Sequence, residues 1–177
     1  MEVGESCTDA ARTIPERIFC QLSKAIVEGE IPTGSKISEA DLASTYGVSR
    51  GPLREAISRL AAVGLVERQP NIGARVVELS SAHLLDIYHI REALEGIAAR
   101  QAALNMSAEE MQRLSETLER HDEEMRKAGG PFYLQQSGDQ DFHFQIVQGS
   151  HNQTLIKLLC HDLYYQFRLY RYQFGMH

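Results

Sequence analysis

The sequence predicts a mainly α-helical chain with one small β element, and three observations carry that prediction. Apolar residues recur at helical spacing from residue 14 almost to the end. Two short amphipathic segments are separated by Gly47, and the second is followed by two short runs, 65–68 and 74–77, that flank a Pro70-Asn71-Ile72-Gly73 turn. After Ser80-Ser81 the pattern is helical nearly throughout. Two helices joined by a glycine-containing turn, with a β wing after them, form a winged helix-turn-helix, and the remainder forms an antiparallel helical bundle.

Taken in order, residues 1–11 are small and polar and are expected to be disordered. A first helix over 14–28 turns Ile18, Leu22, Ala25 and Ile26 inward and ends at Gly29. Ile31-Pro32-Thr33-Gly34 is a turn, and Ile37 is expected to enter the next helix as its apolar anchor. Ser38-Glu39-Ala40-Asp41 has the form of a capping box that opens a short helix ending at Gly47. In the C-terminal half, helices are expected over 82–104, from a second capping box at Ser107-Ala108-Glu109-Glu110 to the Gly129-Gly130-Pro131 stop, over 132–148, and as one helix from Asn152 through the aromatic run that ends at Phe174. That aromatic run reads as core or helix-helix interface.

The most informative stretch begins at Val48. Ser49 stands at an N-cap position, Pro52 lies in the first turn where it removes no helical bond, and Leu53, Ala56, Ile57 and Leu60 form one buried face. Ser49, Arg50, Gly51 and Arg54 are left at the N-terminal end, on the side that does not pack. There an arginine can fork onto guanine in the major groove, and Gly51 allows the backbone a close approach. The alternative is a solvated amphipathic helix carrying three arginines.

The chain has 177 residues, 43% of them apolar, enough for one medium domain or two small ones. Its net charge is -6, yet Arg50, Arg54, Arg59, Arg68 and Arg75 face only Glu55 and Glu67 between residues 48 and 77, so the positive charge is concentrated where phosphate contacts are expected. Cys7, Cys20 and Cys160 are too scattered for a disulfide framework or a zinc motif, which fits a reducing cytoplasm. No apolar run reaches the roughly 18 residues of a membrane span and no signal-peptide pattern opens the chain, so a soluble cytoplasmic protein without a membrane partner is expected.

Gly34, Ile37, Leu42-Ala43, Gly47-Val48-Ser49-Arg50, Pro52-Leu53-Arg54-Glu55-Ala56, Leu60, Gly64-Leu65-Val66 and Gly73 together resemble the winged helix-turn-helix of the GntR family of bacterial transcription regulators, over about residues 12–79. The resemblance implies a homodimer on a palindromic double-stranded DNA operator, because one recognition helix covers half a site. Ser49, Arg50, Gly51 and Arg54 would then contact bases and nearby phosphates, Arg68, Pro70 and Asn71 would set the wing against the backbone or minor groove, and Arg75 would be a further phosphate contact. Ala40 departs from relatives that carry an arginine there, which removes one candidate DNA contact.

Ile90-Arg91, Leu94-Glu95 and Ala98, then Asp139 with Phe142-His143, then Gly149-Ser150, Asn152 and Leu155 are similar to the FCD effector-binding domain of the FadR subfamily within that family. The implied organisation is a DNA-binding domain at 12–79 and an FCD-like effector-binding and dimerisation domain at 80–177. That domain normally continues for two more helices, so it is expected to be incomplete at His177. Asp139 and His143, at i and i+4, share a helical face and can hold one cation. The resemblance makes them two ligands of a divalent metal, zinc or similar, with two further histidines lying beyond residue 177; a plain surface pair is the alternative. Arg91 is implied to bind an effector carboxylate as a planar fork, the alternative being a helix pair with Glu95. Asn152 and Arg168 are further effector candidates, and Asn152 equally suits a helix cap. His83, His89, His121, His151 and His161 have no motif context.

The implied function is a transcription regulator, a metabolite-responsive repressor, whose effector is a small organic acid that biases the spacing of two recognition helices by binding one arrangement better than the other. A constitutive DNA-binding protein whose helical half only dimerises is the alternative. A metal-dependent enzyme built on Asp139 and His143 is a third reading, but no nucleophile-base pair accompanies them, and no enzyme is expected.

Overall fold

The computed structural model describes residues 13–69, 73–128 and 142–174, with the side chains of Gln69 and Ala128 left aside. Pro70, Asn71, Asp139 and the segment 1–11 lie outside these residues, as does the start of the helix expected over 132–148. Apart from the chain ends, two compact units are formed, one of Cys7–Leu85 with Asp162–Met176 and the other of Asp86–His161.

In the first unit, α1 (Ile14–Val27) begins with Pro15 in its first turn, and the backbone N–H of Thr13 donates to Glu16 Oε2 at 3.0 Å, closing a capping box. α2 (Glu39–Thr45) is capped by Ser38, whose hydroxyl accepts from the Asp41 amide at 3.3 Å. α3 (Arg50–Ala62) packs on α1 and α2 through Leu53, Ala56, Ile57 and Leu60, all fully buried. The wing has three strands rather than two: β1 (Lys36–Ile37), β2 (Val66–Gln69) and β3 (Gly73–Val76), in the antiparallel order β1-β3-β2. Ile37 therefore does not enter α2. It pairs with Ala74 and is buried, whereas Lys36 beside it is exposed and pairs with Arg75. Two residues are too short a run to show strand alternation, so only the partner strand creates β1.

The helix expected to run unbroken from Asn152 is interrupted. α7 (Gln153–Lys157) passes into a π-helical turn (Leu158–Asp162) before α8 (Tyr164–Gln173). α8 completes the core of the first unit: Leu169 is fully buried in the same cluster as Leu22 and Leu60, and Tyr165 meets Phe19 edge-to-face at 5.3 Å. The Ser80 amide donates to the Tyr170 hydroxyl at 3.2 Å, His83 Nε2 lies 3.1 Å from Gln166 Oε1, and Gln173 Nε2 donates to the Val27 carbonyl at 3.3 Å. Within the aromatic run Phe167 and Tyr170 are buried and Tyr165 packs against the core, whereas Tyr172 and Phe174 at its end are exposed.

In the second unit, most of α4 (Ser81–Asn105) joins α5 (Ala108–Ala128), α6 (Phe142–Gly149) and α7. Ile87, Ala98, Ala102, Phe144, Val147 and Leu155 are buried. The elements are tied by Asn105 Nδ2 donating to the Ser150 carbonyl at 2.9 Å and Gln145 Nε2 donating to Thr117 Oγ1 at 2.7 Å. At the start of α5 the Ser107 box is reciprocal: the Ser107 amide donates to Glu110 at 2.8 Å and the Glu110 amide donates to the Ser107 hydroxyl at 3.2 Å. No described helix is long and apolar enough to cross a membrane.

Two experiments test these contacts. Gly47 (φ +63°) has open space around a prospective Cβ, while at Gly64 (φ +71°) a Cβ would stand 2.3 Å from Gln166 Nε2. Gly47→Ala should therefore cost about 1 kcal/mol of conformational strain alone, and Gly64→Ala the same strain plus the displacement of the Gln166 amide from His83, read from urea unfolding midpoints. The Ser107 amide, with His151 beside it, holds the Glu110 carboxyl below its ordinary range. A depressed pKa contributes stability above the ordinary carboxylate range that disappears as pH falls through the lowered value. The melting-temperature advantage of the wild type over Glu110→Gln should accordingly be constant near neutrality and vanish on acidification.

Candidate nucleic-acid interface

α2, the turn at Gly47 and α3 place the candidate side chains. The Val48 amide donates to the Ala43 carbonyl at 3.0 Å, which sets the angle between the helices. With the Leu53, Ala56, Ile57 and Leu60 face turned inward, Ser49, Arg50, Gly51 and Arg54 are all exposed at the N-terminal end of α3. Ser49 occupies the N-cap position without a side-chain capping bond. Arg50 forms no ion pair with any described residue. Gly51 has nothing within 4 Å of a prospective Cβ, so its surface is open.

Arg54 is held differently. Its Nε donates to Glu39 Oε2 at 2.7 Å, and its backbone carbonyl accepts from Arg68 Nη2 at 3.3 Å. One residue of α3 thereby joins α2 to the wing. Arg75 is exposed on the sheet, but its guanidinium donates to the Gly34 carbonyl, so it also anchors the loop before β1. Arg59 lies apart from this group, 4.7 Å over the Phe19 ring and 4.0 Å from Glu16. Sequence reading passed over two residues here. Glu39 was legible as part of the capping box but not as a partner of Arg54, and Lys36, across from Arg75 on the exposed sheet face, carried no signal of its own.

The effector candidates fall in different units. In the second unit, Arg91 Nε donates to Glu95 Oε1 at 2.6 Å, and Glu95 Oε2 lies 3.4 Å from His143 Nδ1, so one carboxylate stands between α4 and α6. Burial alone would raise the Glu95 carboxyl, but the His143 and Arg91 contacts outweigh it and hold it below its ordinary value. Asn152 caps α7, its Oδ1 accepting from the Thr154 and Leu155 amides, while Nδ2 donates to Gln101 at 3.0 Å. Arg168 belongs to the first unit, 5.7 Å over the Tyr164 ring. Among the described residues no group of three His, Cys, Asp or Glu could hold a metal, so His143 is not joined there by the further donors a closed site needs.

Residues 14–76 match the family described as "Bacterial regulatory proteins, gntR family", and residues 86–175 match the FCD domain. The chain is 35% identical over 147 residues to the "Probable D-xylose utilization operon transcriptional repressor" of Paenarthrobacter nicotinovorans, covering 82% of this chain and 63% of the relative. It is 34% identical to the "Uncharacterized HTH-type transcriptional regulator BphR" of Paraburkholderia xenovorans, covering 94% of this chain and 69% of that protein. The chain thus spans less than two thirds of the first relative's length. The solved structure of E. coli McbR/YncC superposes with a TM-score of 0.62 at 22% identity, over 91% of this chain and 73% of that one, a likeness of fold.

The Arg91–Glu95 pair is largely buried, with side chains 18% and 25% exposed. Arg91→Ala takes from the Glu95 carboxylate one of the two side chains that hold it and should cost about 1–3 kcal/mol of stability, measured by denaturant unfolding.

Proposed function

Because this chain belongs to the GntR family of bacterial regulatory proteins and carries that family's FCD domain, we propose that it is a sequence-specific DNA-binding transcription regulator. One observation carries the proposal: the exposed arginine-bearing first turn of α3 stands on a helix whose opposite face is wholly buried. Ser49, Arg50, Gly51 and Arg54 read bases and adjacent phosphates, Arg68, Pro70 and Asn71 set the wing against the backbone or minor groove, and Arg75 is a further, weaker phosphate contact. Residues 12–79 are the DNA-binding domain and 80–177 the effector-binding and dimerisation domain. The protein acts in the cytoplasm as a homodimer on a palindromic operator. Exposed Ile90, Ile97 and Leu104, at seven-residue intervals on α4, support pairing of two copies.

Repression is the sign of regulation that the xylose-operon relative's name supports. The proposed effector is a small organic acid held by Arg91, with Asn152 and Arg168 as further candidate contacts. Its carboxylate would compete with that of Glu95 for the Arg91 fork. Asp139 and His143 are proposed ligands of a divalent metal, zinc or similar, and the described residues offer no complete donor set for it. The engagement of Arg91 by Glu95 also favours a second reading, in which the helical half dimerises and DNA binding is constitutive.

Selection of bound sequences from a random DNA pool at a stated salt concentration tests the proposal. The wild type should recover a palindrome, and Arg50→Ala should lose about 1–3 kcal/mol of specific binding at one base position. Recovery of no motif would overturn the regulator reading. Organic acids titrated against the recovered operator separate the two modes, since a constitutive binder shows no shift.

A further inference from the structure

Glu39 and Arg54 sit on opposite sides of the helix-turn-helix turn, and their contact has a particular form. The carboxylate takes the Nε edge of the guanidinium, at 2.7 Å, and no described residue engages the two terminal Nη groups. Those Nη groups are the prongs that arginine uses to fork onto guanine O6 and N7. Arg54 is 61% exposed and Glu39 34% exposed, so the pair contributes little to stability. Its effect is on geometry: a long side chain that would otherwise sample many rotamers is held in one before DNA arrives, and less freedom is lost on binding.

The backbone end of the same residue is also held. Arg68 from β2 donates to the Arg54 carbonyl, so α2 grips the side chain while the wing grips the main chain. The carboxylate adds a second bias. A phosphate approaching Arg54 is repelled by Glu39 with its full negative charge, whereas the uncharged edge of a guanine is repelled much less, so the pair disfavours backbone contacts relative to base contacts.

We propose that Glu39 is a specificity-determining positioning residue: it orients Arg54 by its Nε edge and directs its free Nη fork to a base rather than to a phosphate. This rests on α3 being the recognition helix. A surface ion pair with a structural role alone would change affinity for all DNA alike.

The test uses the full chain, its selected operator and a set of operators each altered at one base pair, with random-sequence DNA as the non-specific reference. Glu39→Ala should reduce discrimination at the base pair read by Arg54 by roughly fivefold or more, leave discrimination at the Arg50 position unchanged and raise affinity for random DNA. Glu39→Gln, which retains an acceptor for Nε, should restore part of the discrimination. The double variant Glu39→Ala/Arg54→Ala should discriminate no worse than Arg54→Ala, because both act through one contact. An equal loss on every sequence, or losses that add in the double variant, overturns the inference. If Arg54→Ala relaxes specificity while Glu39→Ala does not, this inference alone falls. If Arg54→Ala changes nothing, the reading of α3 fails at that residue and the inference falls with it.

Discussion

The packing of α1 against α3 is the constraint on which the helix-turn-helix unit depends. Ile18, Leu22 and Ile26 on one side and Leu53, Ile57 and Leu60 on the other are at most 1% exposed. Each such side chain contributes about 1.5–3 kcal/mol when fully buried, so rotating α3 about its axis would cost several of these contributions at once. The rotation of α3 is therefore fixed by apolar contacts, and its arginines emerge where those contacts are absent. Burial on one face determines which residues are offered on the other.

Charge is distributed on that framework according to what each arginine touches. Arg59 and Arg75 are engaged by a ring and by a backbone carbonyl, and both support the fold. Arg50 has no described ionic partner, and Arg54 is held along one edge only. The acidic net charge of the chain does not weaken such a surface, because screening confines electrostatics to about 8–10 Å in physiological salt and the local balance is positive. In the second unit the logic is reversed: Glu95 is partly buried and shared between Arg91 and His143, so any anion that seeks Arg91 meets an existing carboxylate.

Much of the architecture was legible because it is local. Ser38, Ser107 and Asn152 act as caps, with side-chain oxygens reaching amides two or three residues on, and Gly47 and Gly64 take left-handed conformations at helix ends. The buried face of α3 follows from a 3.6-residue period. The box formed by Thr13 and Glu16 was equally local, and its T-x-x-E spacing stands in the sequence. The candidate DNA contacts could be named for the same reason, since residues excluded from an amphipathic face are defined by the face itself.

What the sequence by itself determined was the run of helices from α1 to α5 with their caps and the identity of the exposed basic residues on α3, all of which depend on neighbours within about one helical turn. Only the tertiary structure decided the partnerships. β1 exists because Ile37 meets Ala74, 37 residues away, and the two-residue strand has no period of its own. The single C-terminal helix became α7, a π turn and α8, with Leu169 and Tyr165 joining the core of α1. Arg54 acquired Glu39 across a turn, 15 residues apart, and Glu95, already within helical reach of Arg91, acquired His143 from α6. Such contacts arise when distant segments are brought together by burial, and sequence spacing carries no record of which of several chemically equivalent partners will be nearest.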